Sequence, residues 1–387
     1  MTAVASEGSL RRLALRQPFA LESGERIPGL EIAYRSWGRL SPQGDNAIVV
    51  CHALTGNADA DCWWSPLFGA GRALDPEKHF IICSNTLGGC YGTTGPTSIA
   101  PDGRPWGKRF PRISIRDQVR AQIALADALG IAHIRCVIGG SMGGLQALEW
   151  ALLDPERTGA IVSIAAAARH SPWCIVWSEA QRLALRADPR FRDGDYAPDA
   201  PPRDGLAAAR AIAMVSYRSA QSLDERFGRC SGGEVFGDRS RSPDDFAAQC
   251  WLRHHAHGLV ERFDANTYLR LIDAMDTHDV ALGRGDHASV LGQIRQPALI
   301  GSINSDALYV PADQRFLAAQ LPHAELLEID SAHGHDGFLI DAENFEPAIR
   351  RFIEQLPARQ ATPAAHDCAA NDEPQLSGLA SLLQFSC

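Results

Sequence analysis

The sequence predicts an α/β fold: a mostly parallel central sheet flanked by helices, with a helical block inserted into it. Three observations predict it. Short apolar runs alternate with helix-like stretches through the first part of the chain. That alternation stops after about Ala168 and resumes at Pro297. The glycine-rich run Gly139-Gly140-Ser141-Met142-Gly143-Gly144 stands between a strand-like and a helix-like segment.

The elements follow in order. Glu31 to Trp37 alternates with period two, the mark of a strand with two unlike faces. Ala47-Ile48-Val49-Val50-Cys51 and Phe80-Ile81-Ile82-Cys83 are continuous apolar runs, as expected of central strands covered on both faces. From Ile115 to Leu129, apolar residues recur at helical spacing (Val119, Ile123, Ala126, Leu129), and Gly130 supplies the stop. Ile134 to Ile138 reads as a strand, Leu145 to Ala151 as a helix, and Ala160 to Ile164 as a further strand. From Ser171 to Leu282 the text is helical and rich in Arg, Ala and Asp. Strands return at Pro297–Gly301 and Ala324–Ile329, and a helix follows near Phe345 to Leu356. The expected organisation is a core over 10–168 and 296–358, a helical lid over 169–295, and a disordered tail over 359–387.

Composition narrows the function. Hydrophobic residues are 45% and charged residues 21% of the 387, ordinary for a globular chain. A net charge of -9 with no basic face argues against nucleic acid or an anionic membrane as partner. No apolar run approaches the roughly 18 residues of a membrane span. The N-terminus lacks the charged-then-apolar layout of a signal peptide, so the expected location is the cytoplasm. The ten cysteines are scattered, with no C-x-x-C pair, and Cys51, Cys83 and Cys136 fall in or beside strand patterns. They read as buried free thiols.

The glycine-rich run contains G-x-S-x-G. Small residues on both sides of a serine let a strand turn sharply into a helix and leave the hydroxyl exposed. A serine hydroxyl needs a base and an orienting acid to become a nucleophile. In this arrangement they follow in the order Ser, Asp, His, each after a strand. Asp306 follows the strand at Ala298-Leu299-Ile300, and the loop after Ile329 offers both His333 and His335. Spacing alone leaves the choice of histidine open. Two backbone N–H groups are needed to stabilise an oxyanion: that of Met142, after the serine, and that of Leu54, in the loop after Ala47–Cys51. His254-His255-Ala256-His257 lacks a carboxylate or cysteine spaced to complete a metal site, so no metal is expected.

Several separate segments together resemble the homoserine O-acyltransferases of methionine biosynthesis, which have the α/β-hydrolase fold. They are His52-Ala53-Leu54-Thr55-Gly56, the long stretch from Asn85 to Pro96, Gly139 to Gly144, Arg262-Phe263-Asp264-Ala265-Asn266, and Gly334-His335-Asp336-Gly337-Phe338-Leu339. The resemblance implies that His335 is the base and that Arg210, with Tyr217 seven residues on, binds the amino-acid carboxylate. It implies Asp336 as partner of the substrate ammonium. Arg218 is the nearby competitor for the arginine's role.

The implied reaction passes an acetyl group from acetyl-CoA, a co-substrate rather than a resident cofactor, through Ser141 to the L-homoserine hydroxyl. A homodimer built through the lid helices is also implied. Leu308, two residues after the acid, resembles acetyl-transferring members, whereas an arginine there would suit a succinyl carboxylate. Succinyl transfer stays open, as does serine as acceptor. One methylene discriminates by only about 1–3 kcal/mol, and Met214 and His333 near the acceptor site leave that choice open. A simple hydrolase, with water as acceptor, is the alternative of another class.

Overall fold

A computed structural model describes residues 8–236 and 245–357. The tail expected over 359–387 lies outside the described residues. One sheet contains eight strands: β1 (Arg11–Ala14), β2 (Glu31–Trp37), β3 (Ala47–Cys51), β4 (Phe80–Ser84), β5 (Ile134–Gly140), β6 (Ile161–Ile164), β7 (Ala298–Ile303) and β8 (Ala324–Ile329). Their spatial order is β1-β2-β4-β3-β5-β6-β7-β8. The β1–β2 and β2–β4 pairings are antiparallel, and every pairing from β4 to β8 is parallel.

Alternation along the central strands divides the core. Ile48 and Val50 of β3 face the same side as Ile138 of β5, where they meet Phe345, Ile349 and Phe352 of helix α8 (Ala342–Gln355). Val49 and Cys51 face the other side with Val137. There they meet Val119 of α1 (Ile115–Ala128) and Leu148 and Trp150 of α2 (Met142–Leu153). Both faces are covered, and this is why these strands are written as unbroken apolar runs.

Local signals set the helix ends. Ser114 and Asp117 form a reciprocal capping box at the start of α1. At its end Gly130 has φ +71°, a conformation that favours glycine. β1, Arg-Arg-Leu-Ala, is not anticipated from the sequence. It is a half-exposed edge strand whose two arginines disguise its period.

Between β6 and β7 lie α3 (Pro172–Arg186), α4 (Arg203–Ser216), α5 (Ala220–Phe227), α6 (Ala247–Val260) and α7 (Ala265–Asp276). Apolar residues of these helices, among them Leu185, Leu206, Tyr268 and Leu271, share one buried cluster with Leu54, Met142, Leu308 and Tyr309 from the strand-end loops. The insertion therefore packs on the carboxyl end of the sheet. Among the described residues, no helix is long and apolar enough to cross a membrane, and every cysteine is a free thiol.

Candidate active site

β5 ends at Gly140 and α2 begins at Met142, so Ser141 alone makes the turn. Its backbone is at φ 56°, ψ -125°, a strained conformation for a residue with a side chain. Tight packing holds it there. A Cβ on Gly143 would lie 2.1 Å from the Cys51 carbonyl oxygen, and one on Gly140 would lie 2.5 Å from the Phe338 ring. The Ser141 N–H is tied to the Ile164 carbonyl at 2.9 Å. The glycines thus let the elbow press against the end of β3.

Ser141 Oγ lies 2.8 Å from His335 Nε2, and His335 Nδ1 lies 2.7 Å from Asp306 Oδ2. An ionised carboxylate only accepts, so Nδ1 carries the proton and Nε2 accepts from the serine hydroxyl. The other oxygen, Asp306 Oδ1, accepts the N–H groups of Leu308 at 2.8 Å and Tyr309 at 3.0 Å. Burial would lower the His335 pKa, but the charge of Asp306 and the hydrogen bond to it outweigh that effect, and the net direction is upward. This arrangement can draw a proton from the serine and hold the resulting imidazolium. His333 takes no part: its Nδ1 is 3.5 Å from Arg218 Nη1, and its Nε2 is 4.0 Å from Asp341.

The loop after β3 abuts the elbow through the Cys51–Gly143 contact. Among the described residues, neither the Leu54 nor the Met142 N–H meets an acceptor. His52 shapes the loop: its Nε2 accepts from the Thr86 N–H at 3.0 Å, so Nδ1 carries the proton and donates to the Ala53 carbonyl at 2.8 Å. Burial keeps this imidazole neutral, with its pKa lowered to about 4. Asn85 accepts from the Ala58 N–H at 2.8 Å and donates to the Tyr91 carbonyl at 2.7 Å. The stretch from Asn85 onward therefore buttresses the loop from behind.

Arg210 and Asp336 differ in their state. Arg210 lies over the Tyr217 ring, 5.5 Å from its centroid, and its buried Nε and Nη1 have no partner among the described residues. Asp336 is already paired with Arg218 at 3.2 Å, and burial pushes its carboxyl pKa upward against the opposing charges of Arg218, His335 and Arg210. An ammonium at Asp336 would thus share the carboxylate with Arg218. Tyr217 also flanks His335, with ring centroids 5.6 Å apart. Leu308 is buried beside the acid, and its backbone holds Asp306. Met214 sits in an apolar cluster with Phe227 and Trp251, against which Tyr217 packs. A cavity of about 400 Å³ bounded by Ala53, Thr55, Trp63, Arg210, Arg262 and Leu339 opens beside the loop after β3.

Sequence reasoning missed Tyr309, Phe338 and His170. Tyr309 and Phe338 lie on His335 at centroid distances of 5.4 and 5.6 Å, and His170 Nδ1 is 2.8 Å from the Tyr309 hydroxyl. The aromatics follow the acid and base closely in the chain, a signal that proximity could have raised. His170 had none. The His254–His257 run belongs to no cluster of three or more metal-ligating groups among the described residues.

A family model described as the alpha/beta hydrolase fold matches residues 46–342. Among similar proteins, the homoserine O-acetyltransferase of Nostoc punctiforme is 53% identical over 347 residues, covering 88% of this chain and 94% of that protein. The homoserine O-acetyltransferase of Chlorobium chlorochromatii is 50% identical over 341 residues, covering 88% and 94%. Among solved structures, homoserine O-acetyltransferase from Bacillus anthracis superposes with a TM-score of 0.82 at 23% identity, covering 91% of this chain and 99% of that one. Esterase E22 gives 0.80 at 25% identity, covering 89% and 100%. The fold is that of the α/β hydrolases.

Proposed function

We propose, from the premise that the chain belongs to the homoserine O-acetyltransferase family of the α/β-hydrolase fold, that it moves an acetyl group from acetyl-CoA to the side-chain hydroxyl of L-homoserine. The observation that carries the mechanism is the continuous series Asp306–His335–Ser141, with separations of 2.7 and 2.8 Å.

Ser141 Oγ attacks the thioester carbonyl while His335 Nε2 takes its proton. Asp306 stabilises the imidazolium, and the Leu54 and Met142 N–H groups donate to the oxyanion. The carbon–sulfur bond breaks, and the thiol of CoA leaves with the proton from His335. Homoserine then enters, its carboxylate on the unpartnered guanidinium of Arg210 and its ammonium at Asp336, beside Tyr217. His335 removes the hydroxyl proton as that oxygen attacks the acyl-serine. Collapse releases O-acetylhomoserine and returns the proton to Ser141. Water competes for the same ester, and the insertion packed over the strand ends favours the amino acid by excluding it. Apolar Leu308 beside the acid suits an acetyl rather than a succinyl group.

In this reading the chain works as a homodimer in the cytoplasm and contributes to methionine biosynthesis. Supporting the dimer, α3 leaves Trp173, Val176 and Leu183 at 51%, 64% and 60% exposure, unusual for large apolar side chains. Light scattering at micromolar concentration tests the dimer.

The likeness to esterase E22 favours one second reading, hydrolysis of an acetyl ester. The test is mass spectrometry of the intact protein after brief exposure to acetyl-CoA, followed by an assay of CoA release with and without homoserine. An acetyl adduct mapped to Ser141 and release stimulated by homoserine are expected. Release indifferent to any amino acid would establish the esterase instead.

A further inference from the structure

We propose that Tyr309 is a positioning residue for His335, latched by His170, and that this pair ties the helical insertion to the reacting imidazole. The inference rests on the reading of His335 as the base that serves Ser141.

His335 is hydrogen-bonded at both ring nitrogens. Two bonds at opposite nitrogens still allow an imidazole to rock about the line joining them. What limits that motion is packing on the ring's faces. Three aromatic rings supply it: Tyr217 at 5.6 Å, Phe338 at 5.6 Å and Tyr309 at 5.4 Å, the last tilted by 33°. Of the three, Tyr309 is fixed most completely. Its N–H is bonded to Asp306 Oδ1 at 3.0 Å, its ring is fully buried, and its hydroxyl meets His170 Nδ1 at 2.8 Å. One residue therefore touches both the base and the acid.

The hydroxyl is the informative atom. A phenylalanine would pack against His335 equally well, and a buried hydroxyl without a partner is destabilising. Burial holds His170 neutral, its pKa lowered to about 3. A neutral ring accepts at one nitrogen; the Asp276 carboxylate, 3.4 Å from Nε2 though not hydrogen-bonded to it, favours the proton on that side and leaves Nδ1 to accept from the Tyr309 hydroxyl. The other Asp276 oxygen is paired with Arg182, and the His170 N–H is bonded to the His278 carbonyl at 3.0 Å. His170 opens the insertion, Arg182 lies in α3, and Asp276 ends α7. The series Arg182, Asp276, His170, Tyr309 thus runs from the inserted helices to the face of the reacting ring.

The test uses the full-length protein with Tyr309→Phe, His170→Leu and His170→Asn. The asparagine places an amide oxygen where Nδ1 accepts; leucine offers no acceptor. Steady-state acetyl transfer to homoserine, hydrolysis of p-nitrophenyl acetate, the pH dependence of kcat/KM and thermal melts are measured for each. Tyr309→Phe and His170→Leu are expected to lower kcat in both reactions by about fivefold to tenfold, the scale of a small misplacement of a catalytic group. KM for homoserine should stay within about twofold. The acid limb of the pH profile should move to lower pH, because a looser imidazole loses part of the raising effect of Asp306. The double variant should be no slower than either single variant, and His170→Asn should recover most of the rate.

Unchanged kcat and pH limb in Tyr309→Phe would overturn the proposal, as would effects that multiply in the double variant. A loss of melting temperature alone would mean a purely structural role and would overturn it too. If His170→Leu does not fold, Tyr309→Phe and His170→Asn decide. Ser141→Ala is the separate control: activity surviving in that variant would sink the underlying reading, whereas an inert Ser141→Ala beside an unaffected Tyr309→Phe would sink only this inference.

Discussion

Arg262 of the insertion donates from Nη1 to the Thr55 carbonyl at 2.8 Å, one residue beyond Leu54. The same nitrogen contacts the Tyr91 hydroxyl. The loop proposed to carry an oxyanion donor is therefore held from the core by His52 and from the insertion by Arg262. Replacing Arg262 by alanine should lower kcat about tenfold, since a hydrogen bond to a charged group contributes about 1.5–3 kcal/mol and the exposed guanidinium lies at the low end. KM for homoserine should change little. A kcat equal to that of the parent would mean that the loop keeps its shape without the tether.

Asp306→Asn is expected to lower kcat by about 10⁴-fold with little change in fold. The asparagine oxygen can still accept from the Leu308 and Tyr309 N–H groups, which turns the amide NH2 towards His335. That reverses the tautomer and removes the acceptor from Nε2. The pH profile adds a direction. Burial lowers the His335 pKa and Asp306 more than restores it, so the limb through which the rate rises should be centred above the ordinary 6.5. Residual activity of the variant should show that limb at lower pH. Stopped-flow kinetics across pH 5 to 9 would decide, and a limb at or below the ordinary value in the parent would contradict the assignment.

Arg210→Ala should raise KM for homoserine and lower kcat/KM for it by roughly 30-fold, or about 2 kcal/mol, the lower range for losing a partner of a buried charge pair. Hydrolysis of p-nitrophenyl acetate, which has no carboxylate to bind, should be nearly unchanged. The contrast between the two substrates is the measurement. Parallel losses in both would move Arg210 out of acceptor recognition.

Acid should destabilise the fold through its buried histidines. His52, His170 and His278 are held neutral by burial, with pKa values lowered to about 4, 3 and 3. Below about pH 6.5 the unfolded chain binds protons that the folded chain refuses, so stability present above that pH is lost as pH falls towards those values. His335, raised instead, contributes stability that is present at low pH and lost as pH rises through its folded pKa. Three groups outweigh one. Urea denaturation at pH 7 and pH 5 should show a lower unfolding free energy at pH 5, by roughly 2 kcal/mol per buried histidine before that offset. Equal midpoints would indicate that these imidazoles are hydrated in the folded state.

What was legible in the sequence were features that repeat or punctuate. Central strands such as Ala47–Cys51 announce themselves because both faces are covered, and the elbow because each glycine answers a specific close approach. The order serine, aspartate, histidine was legible because Ser141, Asp306 and the loop of His333 and His335 each follow a recognisable strand, and the family resemblance pointed to His335. β1 was not, since an edge strand tolerates charge. The Arg218–Asp336 pair was hidden as well: it joins the end of α4 to a loop 118 residues on, and nothing in either segment points to the other. His170 was hidden for the opposite reason, being one histidine among thirteen with no motif around it.

The insertion also governs the order in which the protein is made. Ser141 is translated 194 residues before His335, with the inserted helices in between. At synthesis rates of about 5–20 residues per second, Ser141 is incorporated roughly 10–40 seconds before His335. In the proposed mechanism the serine remains an ordinary alcohol during that interval, so products truncated before His335 are expected to lack most of the acyl-transfer activity.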